Sequence, residues 1–354
     1  MHDAANNNVI RLDARREPRR CVATTTSGRP CRNNAVEGGE YCSVHRRPQA
    51  GTPEVSTAEP PPIAGKRMLD ELVDNDAGSS AIDRLRAFMG RRLKGDYPID
   101  EFGYDEELTR EILMPLLRPL YERYFRVRTL GVGRIPNEGP ALLVSNHSGT
   151  IPIDAVMMQY AVAAEHPAER VVRMVGADLV WTTPFVSHLA RKTGNAVACD
   201  EDAFALLERD QLVAVFPEGF KGVGKGWSER YRLQRFGRGG FIEVALRARV
   251  PIIPVAIVGA EEAFPMVGNA RTLASLLRFP YFPITPTFPL LGPLGLIPLP
   301  SRWVIEFGEP IAMDQYPDDA ADDRMFVFDL TDSIRDRIQQ MVYKGLKYRG
   351  GTFL

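Results

Sequence analysis

Cysteine is scarce in this chain. There are four in 354 residues, and three of them (Cys21, Cys31 and Cys42) fall in the first fifty. That is too few and too clustered for a disulfide framework, and it fits a reducing compartment. An excess of one charge is also missing. Lys plus Arg total 44 against 45 for Asp plus Glu, a formal net charge of −1, so nucleic acid is not expected as a partner. No uncharged run reads as a spanning helix. The one long uncharged stretch, 279–300, holds seven prolines, and each removes a helical hydrogen bond. The opening, MHDAANNNVIRLDARREPRR, lacks the apolar core of a secretion signal. Internal repeats, a G-x-S-x-G elbow and a nucleotide P-loop are absent as well. These absences predict a cytoplasmic protein, soluble or bound peripherally to the cytoplasmic face of a membrane.

What is present is globular in composition, 44% hydrophobic and 25% charged, in a chain long enough to bury a full core. Residues 1–65 are polar, lack periodicity and end in the Pro-rich linker GTPEVSTAEPPPIAG, so a flexible N-terminal region is expected there. The rest, 66–354, reads as one catalytic domain. Helical spacing covers 81–93 and 106–125, with Pro115 and Pro119 expected to kink the second helix or split it into two pieces. Short apolar runs at 141–145, 171–175, 196–199, 212–216, 252–258 and 303–307 then alternate with helical patterns at 154–164, 184–192, 201–208 and 239–247. That alternation predicts an α/β fold, a largely parallel sheet flanked by helices. A last helix over 323–346 puts Val327, Leu330, Ile334, Ile338, Met341 and Val342 on one face. That face is expected to cover the sheet.

The passage ALLVSNHSGTIPIDAVMM carries the most chemistry. A buried strand delivers Asn146 and His147 into a loop; Pro152 then suits the first helical position and Asp154 the first turn, where the helix dipole favours a carboxylate. On one unbroken helix, seven residues of separation would put the two side chains about 10.5 Å apart along the axis. Contact therefore needs 148–151 to fold back, with Gly149 supplying the freedom. An imidazole held by a carboxylate in this way is a general base. The competing account is a structural histidine beside a capping aspartate.

Three further blocks weigh against that account. They are Thr193-Gly194-Asn195-Ala196-Val197, Phe216-Pro217-Glu218-Gly219 and Val250-Pro251-Ile252-Ile253-Pro254-Val255. In this order, after Asn146-His147…Asp154, they resemble the glycerolipid and lysophospholipid acyltransferase family over roughly 131–309. The resemblance implies direct acyl transfer from acyl-CoA or an acyl carrier protein to a lipid acceptor, with no cofactor for catalysis. His147 would be the base and Asp154 its orienter. Asn146, Phe216, Pro217, Glu218 and Gly219 would contribute to substrate binding, Glu218 and Gly219 on the acceptor side. The proline strand would serve the donor side, and an N-terminal helical pair would rest on the membrane surface. Two departures bear on this. Six residues separate His147 from Asp154 where four is the commonest family spacing. Asp200 also stands near a place where an arginine usually meets an acceptor phosphate, which favours a neutral or zwitterionic acceptor unless Arg191, Lys192 or the later basic run substitutes.

Downstream, Lys221, Lys225, Arg230, Arg232, Arg235 and Arg238 lie within eighteen residues among glycines and aromatics. Lys221 and Lys225 are expected to grip phosphates of coenzyme A or of a lipid head group; the alternative is a solvated basic surface. Trp227, Tyr231 and Phe236 suit a membrane interface. The stretch 279–300 reads either as a loop entering lipid or lining an acyl tunnel, or as an irregular connection on the core. Cys21, Cys31, Cys42 and His45 make a tetrahedral set for a structural zinc, against a tail with incidental cysteines. Two other functions stay open: a lipid ester hydrolase using Ser148, and a zinc-bearing lipid-binding adaptor without catalysis.

Overall fold

A computed structural model describes residues 77–95, 97–176, 186–197, 199–277 and 279–353. Cys21, Cys31, Cys42 and His45, with the whole 1–65 region, lie outside the described residues. Helix α1 (Ala77–Lys94) ends on Arg91, Arg92 and Lys94, cations that suit the negative end of its dipole. Helix α2 covers 106–124. Its cap, Asp105, accepts the Leu108 N–H and is buried between Arg92 and Lys192. Pro115 and Pro119 do not split α2 into two pieces. The chain stays helical, with wide π turns at Thr109–Leu113 and Leu120–Tyr124 flanking Met114–Pro119. A wider turn accommodates both the missing N–H and the ring's clash with the carbonyl a turn earlier.

The chain then runs through β1 (Arg128–Leu130), β2 (Ala141–Ser145), α3 (Ile153–Glu165), β3 (Val172–Gly176), α4 (Val186–Lys192) and β4 (Ala196–Val197). Next come α5 (Asp200–Leu207), β5 (Leu212–Val215), α6 (Phe220–Val223), α7 (Gly240–Ala248), β6 (Ile252–Val258) and α8 (Ala260–Ala263). A small hairpin of β7 (Gly268–Asn269) and β8 (Pro283–Ile284) brackets α9 (Arg271–Leu277) before β9 (Val304–Phe307) and α10 (Arg324–Arg349). The main sheet has the order β1-β9-β6-β2-β5-β3-β4. Every neighbour pair is parallel except β6 with β9. The largely parallel sheet read from the sequence is present. β1 and the β7–β8 hairpin were not expected, because neither has an apolar run long enough to signal a strand.

Alternation along each strand divides the core into two layers. Leu142, Val144, Val213, Ile252, Ala256 and Val258 pack with α5, α7 and α10 on one face. Ala141, Leu143, Ala214, Ile253, Val255 and Ile257 pack with α2 and α3 on the other. Burial on both faces explains why the central strands read as unbroken apolar runs. Helix α10 covers the sheet as its spacing predicts: Asp323 caps it through the N–H groups of Met325 and Phe326, and Val327, Ile334, Ile338, Met341 and Val342 are buried. No helix among the described residues is long and apolar enough to cross a membrane.

Strands β6, β2 and β5 are adjacent and parallel, so the segments that follow them emerge at one edge of the sheet. In open α/β sheets, that carboxyl edge is where ligands bind.

Candidate active site

The loop after β2 is fixed before its histidine begins. The Asn146 amide donates to the Ile257 carbonyl at 2.9 Å and accepts the Ile257 N–H at 2.8 Å. It acts as an added rung that ties the loop to β6. Both polar ends of Asn146 are thus engaged with backbone, and the residue is buried. Asn146 shapes the loop and does not line the cleft described below.

The chain then folds back. Gly149 takes φ +85°, a left-handed conformation that glycine adopts without steric cost. This brings His147 Nδ1 to 2.8 Å from Asp154 Oδ2. Asp154, in the first turn of α3, is fully buried. It also accepts the Ser148 N–H at 2.8 Å and the Ala155 N–H at 2.9 Å. Two backbone donors and the positive end of a helix dipole hold the carboxylate in one orientation. Nδ1 then carries the hydrogen it donates to Asp154, which leaves Nε2 as the basic nitrogen. Ser148 is buried and does not line the cleft described below.

The segment after β5 supports the same histidine from two sides. The Phe216 ring lies 4.5 Å from the imidazole, tilted by 33°. Glu218 Oε1 accepts the His147 backbone N–H at 2.9 Å, and Oε2 accepts the Gln234 N–H at 2.6 Å. Pro217 accepts the Gly237 N–H. Gly219, at φ +53°, lines the cleft. Lys221 is exposed on α6.

Lys225 differs from its expectation as a phosphate grip. Its side chain is only 3% exposed, and Nζ lies 2.9 Å from Glu261 Oε1 and 3.5 Å from Glu218 Oε2. It also donates to the Arg232 carbonyl at 3.2 Å. Turning Lys225 outward would strand two buried carboxylates, which costs several kcal/mol. Burial pushes the Glu218 and Glu261 carboxyls above their ordinary range, against the opposing pull of Lys225. Burial alone would lower the Lys225 ammonium, but Glu261 and Glu218 outweigh it and raise it. The rest of the basic run (Arg230, Arg232, Arg235 and Arg238) is exposed. Of the aromatics expected at an interface, Tyr231 and Phe236 are core residues. Asp200 sits against Gly240 and does not line the cleft described below.

Two site residues went unnoticed in the sequence. A Cβ on Gly222 would stand 2.7 Å from the His147 carbonyl oxygen and 2.9 Å from its Cβ, so only glycine lets α6 pack so close behind the histidine. Tyr281, the one tyrosine of the proline-rich stretch, donates its hydroxyl to the Thr150 carbonyl at 2.6 Å and lines the cleft. Burial, with the charge of Asp154, pushes its phenol up to about 12. A tyrosine among prolines and leucines was the available signal for it.

His147 opens onto a cleft of about 840 Å³, within the range of sites that hold small organic ligands. Met114, Leu117, Val156, Met174, Phe216 and Val223 contribute to its mostly apolar walls. Arg110 at its margin is paired with Glu106 and Glu169.

Comparison with known proteins identifies the family. A family model described as Acyltransferase matches residues 126–258, the span from β1 through His147, Asp154 and Glu218 to the end of β6. An uncharacterized protein of Mycobacterium bovis is 47% identical over 309 residues, covering 87% of this chain and 82% of that protein. A second, from Mycobacterium leprae, is 46% identical over 311 residues, 87% and 81% of the two chains. The chain belongs to the acyltransferase family. At greater distance, a human protein named DGAT1/2-independent enzyme synthesizing storage lipids is 30% identical over 163 residues, 45% of this chain and 49% of that one. The crystal structure of the 1-acyl-sn-glycerophosphate acyltransferase PlsC from Thermotoga maritima aligns with 70% of this chain and 85% of its own, at 17% identity and TM-score 0.44.

Proposed function

We propose that the chain transfers an acyl group from an acyl thioester, on coenzyme A or an acyl carrier protein, to the hydroxyl of a lipid at the cytoplasmic face of a membrane. His147 is the general base and Asp154 its orienter. The observation that carries this reading is the 2.8 Å Nδ1–Oδ2 contact in a histidine that opens onto an apolar cleft.

In this scheme the acceptor hydroxyl gives its proton to His147 Nε2 as its oxygen attacks the thioester carbonyl. The imidazolium is stabilised by Asp154. The tetrahedral adduct collapses with loss of the C–S bond, and the thiolate takes its proton from the imidazolium. No acyl-enzyme forms. The apolar walls accept an alkyl chain and exclude water, which would otherwise divert the acyl group to free acid. Glu218 and Gly222 act by placing the His147 backbone, while Phe216 packs against the ring. The names of the storage-lipid relatives favour a lipid alcohol as acceptor. In the same proposal, Cys21, Cys31, Cys42 and His45 of the N-terminal region hold a structural zinc that takes no part in the chemistry.

The test is an assay with labelled acyl-CoA in the presence and absence of a lipid extract. Transfer predicts label in a lipid ester only when the extract is present. Release of labelled free acid at the same rate in both conditions would identify a hydrolase and overturn the proposal.

A further inference from the structure

The longest acid-free part of the chain lies between Glu262 and Glu306. Across those residues the only charges are Arg271, Arg278 and Arg302. This insert, which joins α8 to β9, also carries many of the chain's most exposed large apolar side chains. Leu276, Phe279, Leu290, Leu291, Leu294 and Ile297 are between 43% and 84% exposed. Isolated exposed leucines are common on soluble proteins, but a concentration on one insert free of carboxylates is not.

The insert is ordered. The Ala270 N–H donates to Phe282 and the Val267 N–H to Ile284, so the β7–β8 hairpin closes around α9. Thr287 Oγ1 donates to the Gly295 carbonyl, and Leu291, Leu294 and Ile297 each donate to a carbonyl three or four residues back. The Phe282 and Phe288 rings pack at 5.5 Å. These apolar side chains therefore stand on fixed backbone and are not exposed by fraying.

It is also fastened to the active site. Tyr281 holds the Thr150 carbonyl and lines the cleft. Thr150 in turn donates to Phe264, and the Leu299 N–H to Ala263. The Trp227 N–H donates to Met266, which brings the exposed Arg230, stacked on the Trp227 ring, beside the insert.

We infer that the 263–305 insert is a lipid-docking surface, which seats its exposed leucines in the interface of an anionic bilayer and presents the catalytic cleft to lipid still in the membrane. Charge complementarity selects a bilayer as the occupant. The insert's charges are all cationic and are attracted to an anionic surface, while leucines and phenylalanines gain by leaving water. Continuity with the cleft supplies the second argument, since a lipid acceptor would enter beside Tyr281. The second argument rests on the acyl-transfer proposal; the first does not.

The test is sedimentation of the full chain with vesicles of phosphatidylcholine containing a minority of phosphatidylglycerol. The wild type is expected to sediment with them, and Leu290→Asp/Leu294→Asp to bind at least tenfold more weakly. Met325→Asp, at an equally exposed apolar position on α10, should bind as the wild type does. Hydrogen exchange on the wild type gives a variant-free check: amides in 271–297 should gain protection when vesicles are added. The inference is overturned if the wild type stays in the supernatant, or if the double variant sediments equally. It is also overturned if light scattering shows a dimer that the double variant dissociates while vesicles bind neither. Vesicle binding without any acyl transfer would sink the proposed function and leave the docking surface standing.

Discussion

Glu218 lies behind His147 and holds it by the backbone: its Oε1 accepts the His147 N–H at 2.9 Å while Lys225 and Glu261 close the other side of the carboxylate. The histidine is thus positioned by two carboxylates, Asp154 at the ring and Glu218 at the main chain. Only the first was expected to act on it.

Removing the ammonium from this cluster should be costly. Lys225→Met leaves Glu218 and Glu261 buried without their shared cation, and a loss of about 3–5 kcal/mol of stability is expected in denaturant unfolding. Adding Glu261→Gln should recover part of that loss, giving a coupling of about 1 kcal/mol or more in a double-mutant cycle. Simple additivity would mean that the three groups do not act as a unit.

Gly222→Ala should separate positioning from folding. The added methyl would meet His147 at under 3 Å, so the imidazole must shift while the core stays filled. A stability loss of about 1–3 kcal/mol is expected, with kcat down roughly a hundredfold, the scale of a 1 Å displacement at a reacting centre. Wild-type kcat in a folded Gly222→Ala variant would show that α6 does not set the histidine's position.

Much of this arrangement was legible in the sequence. The central strands announced themselves as apolar runs because both faces of the sheet are covered, and the His–Asp contact was foreseen on the condition that 148–151 fold back at Gly149. The direction of buried charge was not legible. Lys225 sits in a run of exposed basic residues with the same glycine-rich surroundings, and nothing local distinguishes it. Its partner Glu261 follows β6, beyond any local pattern. Tyr231 and Phe236 were misplaced for the same reason: an aromatic between arginines reads as surface until the fold turns it inward. The β7–β8 hairpin, which reaches into the proline-rich stretch, has two-residue strands, below the length at which alternation becomes a signal.

Tyr281 supplies a pH dependence of stability. Its phenol rises from 10 to about 12 in the folded protein, so the folded state holds this proton more tightly than the unfolded state. The resulting stabilisation is complete below pH 10 and is lost as pH rises through about 12. Relative to Tyr281→Phe, the wild type should lose about 2–3 kcal/mol between pH 10 and 12, measured by urea unfolding. Parallel pH profiles for the two proteins would place the Tyr281 hydroxyl in water.

The N-terminal cysteines make a separate prediction. The full chain purified under reducing conditions should carry one zinc per molecule, and Cys42→Ser should lower that occupancy. Absence of stoichiometric zinc from the wild type would end the zinc proposal without touching the catalytic one.

The central claim is that the imidazole is the base. In His147→Ala, Asp154 keeps the Ser148 and Ala155 N–H groups, so the fold should survive. Turnover of labelled acyl-CoA with a lipid alcohol should then fall by about 10²–10⁴-fold, with vesicle binding unchanged. A folded His147→Ala protein that turns over at the wild-type rate would contradict the account.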